Sequence, residues 1–161
     1  KYRLDFEFRG ITYRAIKHPA HLGEIHIPAP GVLREHRHYV AIDVCSFERA
    51  FVDCLDRLDL APDLETLWAL LNQKQGFDAE AMVDRAIALR NRVTAARLGL
   101  FLDTHPSWRV KEAMRRLYEH IPRTAALMDS GYYPIKDCIY WPGWRLYVPA
   151  GLYHRIQNRR R

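Results

Sequence analysis

The chain has 161 residues, of which 48% are hydrophobic, and it carries a formal net charge of +6 at pH 7. This composition suits one globular domain with a sizeable core and excludes a disordered or low-complexity chain. No apolar run approaches the roughly 20 residues of a membrane span, so we expect no membrane partner. Three scattered cysteines argue against a disulfide framework and favour a reducing cytoplasm.

The first 44 residues are predicted to be mainly strands. Apolar and charged residues alternate over residues 2–8, which is the two-residue period of a half-buried strand. We predict an N-terminal antiparallel sheet of about four short strands, at residues 2–8, 11–17, 22–30 and 38–44.

Residues 45–122 are predicted to be helical because the hydrophobic period changes from two to 3.6 residues. Asp63, Asp78, Thr94 and Ser107 stand where a side chain can accept a hydrogen bond from the first turn of a helix. The fourth helix is apolar almost all round, so we expect it to be buried. The five predicted helices span residues 47–58, 63–74, 79–91, 94–103 and 107–120.

Residues 123–161 are rich in turns, with one short strand predicted at 144–148. Strands followed by helices indicate one α+β domain: an N-terminal antiparallel sheet, a five-helix bundle packed on one of its faces, and a short C-terminal strand.

The first predicted helix carries a dense cluster of charges. Its apolar residues follow helical spacing in one continuous stripe, and Ser46 precedes it as a cap. Arg49, Asp53 and Arg57 stand four residues apart and predict a ladder of ion pairs on the opposite face. A catalytic carboxylate pair needs carboxyl groups with separated pKa values in a cleft. We therefore predict a structural helix without catalytic residues.

A nuclease is the alternative that the acidic residues allow. Asp5, Glu7 and Arg9 share one strand face in a pattern loosely like that of metal-dependent nucleases. However, arginine is a poor general base, and the two acids stand too close together. The acids and the lysine after residue 122 stand in the wrong order for the usual motif: Asp129, Lys136 and Asp137. A nuclease domain fused to a winged helix stays the alternative hypothesis.

The eight histidines do not predict a metal site. Their closest groupings are His18 with His21 and His36 with His38, whereas zinc sites use tight pairs of cysteine and histidine at fixed spacing. The chain has no phosphate-binding glycine loop, dinucleotide fingerprint or nucleophile elbow. We therefore expect no metal ligand, no cofactor and no enzymatic activity.

Basic residues are concentrated in the last three predicted helices. Eight basic residues stand against three acidic ones between residues 90 and 123. Lysine and arginine on one face can contact phosphates, or they can simply form a solvated face. The candidates for contact with a charged partner or nucleic acid are Arg90, Arg92, Arg97, Arg109, Lys111, Arg115 and Arg116.

Four short motifs follow one another along the chain. Their residues are Phe8, Arg9 and Gly10; Ser46, Glu48, Arg49, Ala50 and Asp53; Leu89, Asn91, Arg92, Ala96, Arg97, Leu98, Gly99 and Leu102; and Trp144, Leu146 and Val148. This order resembles the C-terminal domain of AbiEi-type antitoxins of bacterial type IV toxin–antitoxin systems, from about residue 6 to residue 148. The chain departs from the family at Pro149, where the family tends to carry a polar residue, and in its long approach to the last strand.

The resemblance implies a winged-helix DNA-binding domain upstream of this one. It also implies an antitoxin that represses its own operon and counteracts a nucleotidyltransferase-like toxin. The implied partners are that toxin and operator DNA, the latter bound mainly by the upstream domain. The basic candidates would then contact DNA or toxin. The structural signature of the family falls on Ser46, Glu48, Arg49 and Asp53.

Overall fold

The computed structural model describes residues 5–15 and 30–160, and it confirms the α+β class. Antiparallel strand pairs come first, a helical region follows, and a short strand segment lies near the C-terminus. The strand predicted at 22–30 lies outside the described residues except for Pro30, which is part of a turn.

Two separate hairpins, rather than one four-stranded sheet, form the N-terminal part. β1 (Asp5–Phe8) pairs antiparallel with β2 (Ile11–Arg14), as predicted. β3 (Val32–Arg37), which the sequence analysis did not predict, pairs antiparallel with β4 (Val40–Cys45). The strand predicted at 38–44 begins too early, because residues 38 and 39 both have positive φ and form the turn of this hairpin.

The hairpins contribute little to the core. Phe6 and Tyr13 face each other across the first hairpin with ring centroids 4.9 Å apart, yet Phe6 is 64% exposed. All residues of β1 and β2 are exposed, so the expected half-buried strand is not observed within the described residues. The helices therefore pack against one another and not on one face of an N-terminal sheet.

Helices α1 to α5 follow β4 in the predicted order. Two of them end before their predicted last residue and continue as short 3-10 turns, at Leu58–Leu60 and Arg116–His120. The helices span Phe47–Asp56, Leu64–Gln73, Ala79–Ala88, Arg92–Asp103 and Trp108–Arg115.

Side-chain caps fix the starts of the first three helices. Ser46, Asp63 and Asp78 each accept a hydrogen bond from the backbone N–H three residues later. Ser107 stands at the start of α5, but its side chain makes no capping hydrogen bond. Three of the five predicted side-chain caps, Ser46, Asp63 and Asp78, are therefore confirmed.

Helix α4 is the centre of the core. Residues 94–102 are all buried, which confirms the prediction that the helix with apolar residues on nearly every side is the internal one. It contacts α1, α3 and α5, and the strand that follows at Leu146–Pro149 also packs against it. The helical bundle therefore closes around α4.

The C-terminal part forms a small mixed sheet and a sixth helix. β5 (Ala126–Leu127) pairs parallel with β7 (Leu146–Pro149), and β6 (Cys138–Trp141) pairs antiparallel with β7. The predicted strand at 144–148 corresponds to β7, whereas the sequence analysis missed β5, β6 and helix α6 (Ala150–Arg160). Helix α6 buries two side chains, Leu152 and Ile156, in the same core.

Among the described residues, no helix combines the length and apolar character needed to cross a membrane. The three cysteines are free thiols.

Candidate functional site

The signature residues at the start of α1 connect this helix to its neighbours. Ser46 Oγ accepts the Arg49 backbone N–H at 3.3 Å, and Arg49 Nη1 donates to the carbonyl of Pro30 at 3.0 Å. Glu48 Oε1 accepts the Asp78 N–H at 3.2 Å, which joins α1 to the start of α3. Burial raises the pKa of Glu48, but hydrogen bonds from its own N–H and that of Asp78 outweigh burial and leave the pKa lowered.

Asp53 connects α1 to α3 through an ion pair. Nε and Nη2 of Arg85 both lie 2.7 Å from Asp53 Oδ1, and Arg49 Nε lies 3.7 Å from Oδ2. Arg57 does not extend the predicted ladder but pairs with Asp59 at 2.9 Å. The prediction was wrong there because α1 ends at Asp56, so Arg57 no longer follows the helical spacing.

The end of α1 is joined to the start of α4 by Asp56. Its Oδ1 accepts hydrogen bonds from Asn91 Nδ2 at 2.9 Å and from Thr94 Oγ1 at 2.8 Å. Asn91 also caps α4 by accepting the Val93 N–H at 3.1 Å. Thr94 is fully buried and uses its hydroxyl in this tertiary contact, so the prediction of Thr94 as the cap was wrong. Capping by Asn91 starts α4 two residues earlier than predicted.

Arg97 is a buried structural residue and not a surface contact. Only 8% exposed, it donates from Nε to the carbonyl of Met128 and from Nη1 to the carbonyl of Leu55, both at 2.6 Å. Burial lowers the pKa of Arg97, while the carboxylates of Asp129 and Asp56 act in the opposite direction. Its inclusion among the residues for DNA or toxin contact was therefore wrong, because its guanidinium is buried and donates to two backbone carbonyls.

Gly99 and Trp144 fit together across the core. A Cβ placed on Gly99 would lie closer than 3.0 Å to three atoms of the Trp144 ring. Tyr118 also stacks on this ring, with centroids 4.7 Å apart. Glycine is needed here for close packing, so this part of the motif positions the C-terminal sheet against α4.

Two of the arginines on α5 and its 3-10 extension are already paired. Arg116 Nη1 lies 2.7 Å from Glu80, and its Nη2 lies 2.7 Å from Asp84 on α3. Arg115 pairs with Glu112 at 3.0 Å on its own helix. These pairs reduce the net positive charge that this surface offers to a partner, because each arginine faces at least one carboxylate.

The start of α5 presents an exposed basic and aromatic surface. Trp108 is 71% exposed, and the Arg109 guanidinium lies 5.7 Å from the centre of its ring. Arg109 and Lys111 are both exposed, as the sequence analysis expected of contact residues. We call Trp108, Arg109 and Lys111 the α5 surface.

A groove of about 570 Å³ lies beside the α5 surface. Phe77 and Val110 contribute apolar lining, and His105 packs edge-on against Phe77 with ring centroids 5.2 Å apart. Burial, together with the nearby charge of Arg159, lowers the pKa of His105, which favours the neutral imidazole. The groove therefore offers apolar and aromatic contacts next to the cations of α5.

Arg90 and Arg92 lie on either side of Asn91, at the junction of α3 and α4, and both are exposed. Arg92 Nη1 donates to the carbonyl of Ile121 at 2.8 Å, which fixes the direction of its side chain. The seven predicted basic candidates therefore do not form one surface: one is buried, two are paired with acids near α5, two lie on the α5 surface, and two lie at this junction.

The residues of the alternative nuclease hypothesis are not gathered into a site. Asp5 pairs across the first hairpin with Arg14, 3.5 Å away, and Arg9 lies in the turn with φ 51° instead of on the strand. Among residues 5–15 and 30–160, no three histidine, cysteine, aspartate or glutamate side chains are arranged to hold a metal ion.

Several residues in these contacts were not predicted from the sequence. Trp108 gave a signal, because it lies outside the apolar stripe that Val110, Met114 and Leu117 form. Arg85 and Asp56 gave no local signal, because their partners are distant in sequence. Arg85 pairs with Asp53, 32 positions away, and Asp56 accepts a hydrogen bond from Thr94, 38 positions away.

Comparisons with protein-family models, with curated proteins and with solved structures found no match for this chain.

Proposed function

We propose that this chain is the antitoxin domain of a bacterial toxin–antitoxin system, acts in the cytoplasm without catalysis, and counteracts a nucleotidyltransferase-like toxin. The observation that carries the proposal is the convergence of three of the four AbiEi-like motifs on one framework, while the first motif lies in the exposed hairpin of β1 and β2. Motif residues from α1 and α4, Asp53 and Arg97 among them, make the hydrogen bonds that hold the bundle together. Gly99 and Trp144, from two different motifs, contact each other directly.

This convergence supports the resemblance because the motifs are far apart in sequence. Here residues of the second motif join α1 to α3, and residues of the third and fourth motifs form the centre of the core. A shared framework supports a shared role, which for this family is neutralisation of a toxin.

The α5 surface is the part that we propose for toxin contact. Tryptophan and arginine are the residues that most often dominate the binding energy of protein interfaces. Trp108 and Arg109 are adjacent and exposed, and the groove beside them provides a concave, partly apolar surface that is also lined by Asp78, Glu80 and Glu112. Arg115 and Arg116 contribute less in this proposal, because a partner would have to displace their present carboxylates. We propose that operator DNA is bound mainly by an upstream winged helix.

The test is rescue of growth in cells that express the toxin gene adjacent to the gene for this chain. We expect the full gene product to restore growth and the double variant Trp108→Ala/Arg109→Ala to restore it less. The control is Tyr132→Ala, which removes another aromatic residue, 78% exposed, that belongs neither to α5 nor to the lining of the groove. Circular dichroism on the purified variants verifies that they are folded.

Two results would contradict the proposal. The first is a folded gene product, expressed at a level above the toxin, that leaves growth arrested. The second is metal-dependent cleavage of DNA by the purified protein that is abolished by substitution of one of its own acids, which would support the nuclease alternative.

A further inference from the structure

A second cavity lies between the end of α3, the start of α4 and the 3-10 turn at Arg116–His120. Its volume is about 300 Å³, which is at the small end of the range for pockets that bind small molecules. Three apolar side chains, Ala86, Ile87 and Ala95, line part of it. We call this cavity the junction pocket.

Among the described residues, the side chains that can bring charge to the junction pocket are all basic. Arg90, Arg92 and His120 line it, and no carboxylate does so among the described residues. Arg92 is oriented by the hydrogen bond from its Nη1 to the carbonyl of Ile121, which leaves Nε and Nη2 for another acceptor. The pocket therefore combines an apolar wall with two guanidinium groups and an imidazole.

Arg90 is held at the pocket in an uncommon backbone conformation. Its φ is 55°, in the left-handed region, and its N–H donates to the carbonyl of Ile87 at 3.0 Å, which ends α3. Glycine or asparagine is usual at such a position. Within the described part of the chain, the Arg90 guanidinium makes neither an ion pair nor a hydrogen bond.

We propose that the junction pocket binds a small organic phosphomonoester, with the phosphate between Arg90 and Arg92 and the organic part against the apolar wall. A phosphomonoester carries close to two negative charges at pH 7 and accepts hydrogen bonds from planar guanidinium groups in the paired geometry that arginine provides. Ile87, which is half-buried, offers an apolar contact for a ring, while Ala86 and Ala95 line the pocket but are each only 1% exposed.

A small ligand fits these residues better than a nucleic-acid backbone does. A nucleic acid requires several unpaired cations in a row, because each phosphate contact adds to affinity. Arg115 and Arg116, at the end of α5 and in its 3-10 extension, are already paired with carboxylates, and Arg97 on α4 is buried. Two guanidinium groups in a concave site match one phosphate group. This inference goes beyond the antitoxin proposal and does not depend on it.

The test is isothermal titration calorimetry of the full chain with four probes: adenosine 5′-monophosphate, inorganic phosphate, adenosine, and a single-stranded DNA oligonucleotide without terminal phosphate. We expect the monophosphate to bind more tightly than inorganic phosphate, and adenosine to bind at least tenfold more weakly than the monophosphate. Arg90→Ala removes one charged hydrogen-bonding group, so we expect about tenfold weaker binding of the monophosphate. The control, Arg109→Ala, removes an exposed arginine outside the pocket and leaves this affinity unchanged.

Several results would overturn the inference. Equal affinity for adenosine and its monophosphate would exclude phosphate recognition, and equal affinity for inorganic phosphate and the monophosphate would exclude a role for the apolar wall. Absence of binding of the monophosphate at millimolar concentration would exclude the ligand class. Tighter binding of the oligonucleotide, weakened by Arg90→Ala, would assign these arginines to nucleic acid instead. If Arg90→Ala is not folded by circular dichroism, Arg90→Gln takes its place.

Discussion

Gly99 on α4 lies against the face of Trp144, with no room between them for a Cβ atom. Gly99→Ala is therefore expected to lower the free energy of unfolding by about 1–3 kcal/mol through overpacking. At a helical glycine with free space around it, the same change would raise the free energy of unfolding by about 1 kcal/mol. The sign of the change therefore distinguishes close packing at Gly99 from free space. Urea denaturation measures it.

The matched control for this variant is Gly143→Ala. A Cβ at Gly143 would be no closer than 3.8 Å to its nearest neighbours, two atoms of Trp141, so we expect a change within about 0.5 kcal/mol. Adding Trp144→Phe to Gly99→Ala should cost less than the sum of the two single changes, because the smaller ring makes room for the methyl group. A Gly99→Ala protein as stable as the wild type would contradict this account of the core.

The ion pair between Asp53 and Arg85 is expected to show measurable coupling. Its arginine side chain is 16% exposed and its aspartate 37%, so solvent screens the pair less than a fully exposed one. A double-mutant cycle of Asp53→Ala and Arg85→Ala should give about 1 kcal/mol of coupling energy. The matched pair Arg57–Asp59, which is 47% and 62% exposed, should give a few tenths at most. Equal coupling in both cycles would contradict a role for burial.

Arg97 is expected to behave as a core residue despite its charge. Arg97→Met leaves the carbonyls of Leu55 and Met128 without their charged donors, so the free energy of unfolding should fall by about 2–5 kcal/mol. The exposed Arg109 makes no such contact, and Arg109→Ala should change stability by less than about 0.5 kcal/mol. Thermal and urea denaturation of both variants test this contrast. Equal free energies of unfolding for the two variants would contradict a structural role for the buried Arg97 guanidinium.

Asp63 is expected to make the stability of α2 depend on pH. Its carboxylate accepts the N–H of Thr66 at 2.9 Å and the hydroxyl of Thr66 at 2.8 Å, and the backbone hydrogen bond is the main cause of its lowered pKa. A pKa that is lower in the folded state adds stability at pH values above the ordinary 3.8, and this stability is lost as pH falls through the folded value.

Asp63→Ala should therefore lower the free energy of unfolding by about 1 kcal/mol at pH 7, and by less below pH 3.8. Asp63→Asn retains an uncharged cap, so its stability relative to Asp63→Ala should hardly depend on pH. Urea denaturation of the three proteins across this pH range gives the comparison. A difference between wild type and Asp63→Ala that grows toward acid would have the wrong sign for this explanation.

The helices were largely predictable because their signals are local. The apolar stripe of α1 and the caps at Asp63 and Asp78 lie within a few residues of the features that they determine. The burial of α4 was also predictable, since a helix with apolar residues on nearly every side needs neighbours on every side.

The strands and the last helix were less predictable because their signals are weak or distant. β3 has the sequence Val-Leu-Arg-Glu-His-Arg, in which apolar and polar residues do not alternate. It is therefore recognised only by its pairing with β4. β5 has two residues and is defined by its parallel pairing with β7. Helix α6 contains a glycine and six polar or basic residues among its eleven, so its buried Leu152 and Ile156 do not make an evident stripe.

The contact residues could be predicted only in part. Exposure of Arg109 and Lys111 follows from their place on the polar side of α5. The burial of Arg97 could not be predicted, because it depends on carbonyl groups 42 and 31 positions away in sequence. The one local sign was the position of Arg97 on α4, a helix that was predicted to be buried, and this sign does not identify the partner.

The fit of Trp144 over Gly99 has a practical consequence for locating function by deletion. Trp144 fills the core from a point that is 45 positions beyond Gly99 in sequence, so a shortened chain that ends before the last sheet would lose part of its own interior. Loss of activity in such a fragment would report failure to fold, whichever surface binds the partner. Substitution of exposed side chains in the intact chain is therefore the informative route to the binding surface.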